Sequence, residues 1–385
     1  MGDRDARGGL RLTEYRRLGD NERRRKRQDM SNDNEYESEE LPWYRRSAES
    51  IFGIDTRSLA VFRIVIALLV LVDLYVRLST LVEFQTDEGF FSRETCVAFF
   101  VNQGLTPNTL IPDQPLPFWS LHLLSGSLWF QQTLLGFTAV AAVLMLFGWR
   151  TRLMTVLVWL LTISIHVRNP IVLNSGDTLL RMLLFWGMFL PLNARWSIDK
   201  LIRPALRFAP TTILSVASMA IILQLCLMYW FTGLAKANPV WFDGRALENV
   251  LNLDLLTRPW GKRLLAYPEL LRWMTHATLW SELLLPLLLF IPWRTHYWRL
   301  LNIAVFTLFH VGIVLTMSVG LFSAISIAGW LLLLPRQFWE SALVRGVMGN
   351  FVGSSALVDD DFGGRRITPD DERPLSVRIA SGALQ

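Results

Sequence analysis

Lysine is almost missing from this chain. It stands at four positions in 385 residues (Lys26, Lys200, Lys236 and Lys262), although Lys and Arg together number 38. The basic charge is therefore carried almost entirely by guanidinium groups, which stay protonated in proteins, whereas a partly buried amine can lose its proton. Cysteine is scarcer still. Cys96 falls in a loop and Cys226 within an apolar run, which excludes a disulfide framework. No cleaved leader is expected, because the first apolar run begins near Leu59, too deep for a signal peptide. No metal is expected either.

What the chain has in plenty is apolar length. Hydrophobic residues make up 52% of it and tryptophan alone numbers 16. Several runs reach the roughly 20 residues that a helix needs to cross a bilayer core. The fold class is all-α: a polytopic transmembrane bundle of about eight helices. The net charge of +5 sits mostly in the termini and short loops. It reads as membrane topology and not as a nucleic-acid footprint, so no nucleic-acid partner is expected.

Three regions follow. Residues 1–41 carry Arg23-Arg24-Arg25-Lys26-Arg27 and then an acidic run, and are expected to be a disordered tail. Residues 42–335 form the transmembrane domain, opened by an interfacial helix over Leu41–Phe52. Residues 336–385 are expected to be a second disordered tail. Between them, hydropathy predicts helices over about 58–79, 121–147, 153–167, 177–192, 211–234, 270–291, 301–317 and 321–334. Asp55 is the expected N-cap of the first, and Pro286 breaks the sixth. The N-terminal tail and the basic turns at Arg150, Lys200–Arg207 and Arg294–Arg299 fall on one face of such a bundle. The positive-inside rule then puts the protein in the cytoplasmic (inner) membrane with both termini cytoplasmic, and Lys236 at the outer leaflet.

Ionisable groups inside membrane helices are expensive and are functional candidates. Glu282 is the hardest to explain structurally, since a carboxylate several turns deep needs a partner. His276 lies on the same helix, His310 lies on the seventh, and Lys236 closes the fifth. Asp177 and Arg181 share a helix face at i,i+4 spacing and are expected to form a structural ion pair. Arg63, Arg77 and Arg168 read as snorkelling anchors, and His166 and His276 as residues bonding at the interface.

Three stretches carry a family resemblance. Ser58-Leu59-Ala60-Val61-Phe62-Arg63, Leu190-Pro191-Leu192-Asn193-Ala194-Arg195-Trp196-Ser197-Ile198-Asp199, and Gly233-Leu234-Ala235-Lys236 followed by Trp241 and Gly244 are together similar to the HTTM membrane domain of vitamin K-dependent γ-glutamyl carboxylases and their bacterial relatives. Phe309-His310 and Gly320-Leu321-Phe322-Ser323 match a late helix of that domain. The resemblance implies Lys236 as a base that deprotonates reduced vitamin K. Reaction with oxygen then gives an alkoxide that removes a γ-proton from a peptide glutamate, and the carbanion takes up carbon dioxide. Trp230, Phe231 and their neighbours are expected to wall the quinone site. Three departures stand against it. Ala235 replaces the first of two lysines, Asn174-Ser175-Gly176-Asp177 lacks the family's histidine, and the chain ends about fifty residues after the eighth helix.

Two functions remain open at this point. One is a quinol-linked, carboxylase-like lyase with Lys236 as catalytic base and His276, Glu282 and His310 supporting it. The other is a non-catalytic membrane module that binds lipid, a quinone or a peptide partner in its maturation or export.

Overall fold

The computed structural model describes residues 42–103, 119–203, 209–342 and 344–346. Eight helices carry the architecture, and they follow the hydropathy runs in order. They are α1 (Thr56–Ser79), α2 (Leu128–Phe147), α3 (Thr151–Arg168), α4 (Ser175–Gly187), α5 (Val216–Ala235), α6 (Pro268–Leu284), α7 (Thr295–Thr316) and α8 (Phe322–Leu331). Among the described residues, α1, α2, α3, α5 and α7 are long and apolar enough to cross a membrane. The fold is all-α; the one sheet among the described residues is a two-residue antiparallel pairing, Ile54 opposite Ile213 and Asp55 opposite Thr212.

Helix ends differ from the hydropathy reading for local reasons. The second helix starts at Leu128, because Ser125-Gly126-Ser127 breaks the run and only Leu121–Leu123 makes a 3-10 turn before it. Helix α4 stops at Gly187, ahead of Pro191. Its start is a capping box in which Asn174 and Asp177 satisfy each other's backbone N–H groups. Helix α6 gives way to a 3-10 turn over Leu285–Phe290, where Pro286 has no N–H to donate. The expected helix at Leu41–Phe52 forms over Trp43–Phe52. The N-terminal tail falls outside the described residues. The C-terminal region does not begin as a tail: Arg336–Trp339 is helical, and buried Trp339 donates its Nε1–H to Ser58 Oγ at 2.8 Å.

The packing follows α1. Its Leu59, Phe62, Ile66 and Val70, at helical spacing, are buried against Ala141, Ala142 and Met145 of α2 and Leu180, Leu183 and Leu184 of α4. Lipid tails are as apolar as these side chains, so close packing and not hydrophobicity holds such helices together. That also leaves Leu68, Val72 and Tyr75 free to be exposed on the other side of α1.

The three expected membrane-end anchors point inward instead. Arg63, fully buried, donates to the carbonyls of Leu192 (2.7 Å), Arg195 (3.1 Å) and Trp196 (2.5 Å). Arg168, also fully buried, donates to Phe91 and Thr86 carbonyls. Arg77 joins Asp73 (2.8 Å) and Asp177 (2.6 Å). Carbonyls and acids inside the protein take up their terminal guanidinium N–H groups, so these side chains do not snorkel.

The basic turns come together at one end. Asp199 accepts from the Arg150 and Thr151 N–H groups, and its own N–H bonds to the Gly148 carbonyl. Arg299 donates to the Ile51 carbonyl. The opposite end is built from the start of α4, the α7–α8 turn and the segments between α5 and α6. There Thr257 bridges to Met317, and Gly176 packs on Phe322.

Candidate functional site

Gly233 decides where Lys236 goes. A Cβ at Gly233 would stand 2.8 Å from Leu283 Cδ2 and 3.4 Å from Glu282 Cβ, so any larger residue there would have to push the Leu283 side chain aside where α5 and α6 meet. Lys236 follows one turn later as the C-cap of α5. From there its Nζ donates to both oxygens of Glu282, at 2.6 and 2.5 Å. The Glu282 side chain is 3% exposed and that of Lys236 22%. The Trp241 ring lies 5.3 Å from the same Nζ, a cation–π contact. Glu282 sits about four turns into α6. Lys236 is therefore not at an open membrane edge: the first turns of α6 and the short helices Pro239–Phe242 and Ala246–Leu251 pack beyond it.

The pair lines a cavity of about 1200 Å³. Thr178, Leu179, Met182 and Trp186 of α4 wall it, with Leu223, Gln224, Leu227 and Met228 of α5. On α5 the lining runs from Ala220 to Lys236, roughly 24 Å of helix and most of a hydrocarbon core's thickness. The expected walls were different: Trp230 stacks on Phe290 and Phe231 is exposed, and neither lines the cavity.

His310 of α7 is in the wall too, fully buried. Its Nε2 lies 2.7 Å from the Tyr229 hydroxyl, which accepts the Nε1–H of Trp330 at 2.8 Å. Phe306 stacks on Trp330 at 4.6 Å and holds the group in place. Tyr229 is seven residues before Lys236, two turns down the same helix face, so a tyrosine at that spacing inside an apolar run was legible. Trp330 gave no signal beyond being one of many tryptophans.

Of the four candidate residues, Lys236, Glu282 and His310 meet in one cavity. His276 does not join them; it is half-buried on α6 against Gly244, whose φ of 76° turns the chain there. The expected Asp177–Arg181 pair is not made. Asp177 is taken by Arg77, by the Asn174 N–H and by His166 Nε2 at 3.3 Å, while Arg181 donates to Thr178 Oγ1. His166 is accordingly buried in this cluster and not bonding at an interface. Asp73, His166 and Asp177 are close enough together to suggest a metal. The Arg77 guanidinium already bonds to both carboxylates and lies 3.1 Å from His166 Nε2, so the cluster has its cation.

The other two signature stretches are structural. Ser58 Oγ donates to the Leu334 carbonyl at 2.7 Å, and Arg63 ties α1 to the stretch ending in Asp199. Together with the spans, these features define a multi-pass α-helical membrane protein with a charged pair lining a long apolar cavity. The HTTM domain profile matches residues 53–339, most of the chain, and the protein belongs to that family. No curated protein and no solved structure matches the chain.

Proposed function

We propose that the protein binds a reduced quinone of the vitamin K class and uses Lys236 as the proton acceptor in a carboxylase-like reaction on a glutamyl substrate. One observation carries this reading. A Lys–Glu ion pair lines an apolar cavity long enough for a ring and its tail. The donor set fits such a ligand: an amine and a carboxylate, a histidine about two helical turns further along, and apolar walls around them. Shifting one proton from Nζ to Glu282 leaves both groups neutral and separates no charge, which a low-dielectric site favours. Lys236 then takes the proton of a ring hydroxyl while Glu282 holds the one it gave up. When bound, such a quinol supplies, with oxygen, the strong base that removes a glutamate γ-proton before carbon dioxide adds. The peptide partner approaches from the outer side, over the segments between α5 and α6. The protein sits in the cytoplasmic membrane with both termini inside.

The same pairing favours a second reading, a non-catalytic module that holds lipid, quinone or peptide. An ion-paired ammonium has no lone pair to offer, and Ala235 removes the neighbouring charge that lowers a lysine's proton affinity. The test is incorporation of labelled carbon dioxide into Glu-containing peptides by purified protein with reduced vitamin K. The lyase reading expects incorporation, abolished in both Lys236→Ala and Lys236→Arg. No incorporation with any peptide, alongside an in vivo function that survives Lys236→Arg, leaves the module.

A further inference from the structure

The hydrogen bonds around Tyr229 do not balance within the protein. Trp330 Nε1–H is a donor only, so the Tyr229 oxygen accepts from it. The tyrosine proton then has one acceptor in reach, His310 Nε2 at 2.7 Å. With Nε2 accepting, a neutral His310 carries its proton on Nδ1. That Nδ1–H is buried, and no protein group among the described residues accepts it. The opposite tautomer is worse: His310 Nε2 and Trp330 would both donate to Tyr229, stranding the tyrosine proton and leaving Nδ1 an empty acceptor. One unmet group against two selects the first arrangement, since each buried unmet polar group costs free energy.

From this we infer that His310 Nδ1–H is the cavity's hydrogen-bond donor to an oxygen of the bound ligand. Tyr229, held by Trp330, is the positioning residue that keeps the proton on Nδ1. The inference rests on the reading of the cavity as a quinone site and adds the atom that meets a ring oxygen. A neutral N–H there strengthens its bond as a ring hydroxyl loses its proton to Lys236, because charge then builds on oxygen. It also gives the site a preference for oxygenated rings over equally greasy hydrocarbons, because burying an unmet donor against hydrocarbon is penalised.

Two measurements on the full-length protein in lipid nanodiscs test this. The first is the ¹⁵N spectrum of histidine-labelled protein without ligand, with His310 assigned by its loss in His310→Leu. The expected spectrum has a protonated Nδ1 and a bare Nε2, and Tyr229→Phe mixes the tautomers. A protonated Nε2 in the wild type, or no change in Tyr229→Phe, overturns the inference. The second compares binding of 2-methyl-3-prenyl-1,4-naphthoquinone with that of 2-methyl-3-prenylnaphthalene, which lacks the ring oxygens. His310→Leu is expected to weaken the quinone by about tenfold and leave the hydrocarbon unchanged. Equal binding of both probes, unaltered in His310→Leu, sinks this inference alone. Binding of neither probe sinks the quinone reading and the ligand half of the inference with it.

Discussion

A carboxylate as deep as Glu282 is tolerated in a membrane helix only with its charge answered. Lys236 answers it through two hydrogen bonds, and each partner is the reason the other can stay. Removing one leaves an unpaired charge, which costs about 3–5 kcal/mol in a fully buried pair and less here because Lys236 is partly exposed. Single variants Lys236→Met and Glu282→Leu are therefore expected to lower the Tm in detergent by several degrees. The double variant is expected to recover most of that loss and still show no turnover. If the double variant is as unstable as the singles, the pair does not behave as a unit. The identities of Lys236, Glu282 and His310 as candidates were legible from their cost alone. Their partners were not: nothing in local spacing announced that Asp177 would choose Arg77, a hundred residues away, over Arg181 one turn on. Nor could spacing separate His276 from Glu282 on one helix; contact with α5 does that.

At the level of elements, the chain's signature stretches turn out to hold helices together at both ends. Asp199, buried outside the spans, accepts from Arg150 N–H, Thr151 N–H and Oγ1–H, and Asn193 Nδ2–H, closing the start of α3. Burial opposes its ionisation, but these hydrogen bonds outweigh it and hold the carboxyl below its usual range. An acid depressed in the folded state stabilises the fold above its unfolded value near 3.9, and that contribution is lost as pH falls through the folded value. Thermal stability should thus be flat on this account from neutral pH to about pH 5 and decline below about pH 4. Asp199→Asn, expected to lose about 2 kcal/mol at neutral pH, should flatten part of the acid decline. An unchanged acid profile in that variant would exclude Asp199 as its source. Hydropathy located all eight helices because their apolar length is a local property. It misjudged their ends where Ser125-Gly126-Ser127, Pro191 and the Ile54–Ile213 pairing intervene, since a few polar contacts outrank apolar length there.

At the scale of the whole transmembrane unit, the basic turns at Gly148–Arg150, Ser197–Asp199 and Thr295–Arg299 gather at one end and the Lys236 site lies toward the other. That asymmetry is the sequence feature most faithfully carried into three dimensions, because charge in short loops and helix order together determine it. Cysteine labelling in intact cells reads it directly. Both native cysteines are buried, so background is low. Leu255→Cys, at a position 92% exposed near the site end, is expected to react with an impermeant maleimide, and Leu201→Cys, 77% exposed near the basic end, only after permeabilisation. The reverse pattern would invert the protein in the membrane and move the site to the cytoplasmic side.

The central claim is that the Lys236–Glu282 pair accepts a proton from a ring hydroxyl in the apolar cavity. Anaerobic ultraviolet difference spectroscopy of bound 2-methyl-3-prenyl-1,4-naphthoquinol at pH 7 measures this most directly, because ionisation of the ring hydroxyl shifts its absorption. The account predicts a naphtholate-type spectrum on the wild-type protein and the neutral quinol spectrum on Lys236→Met. A neutral quinol on the wild type, or a naphtholate that persists in Lys236→Met, would contradict it.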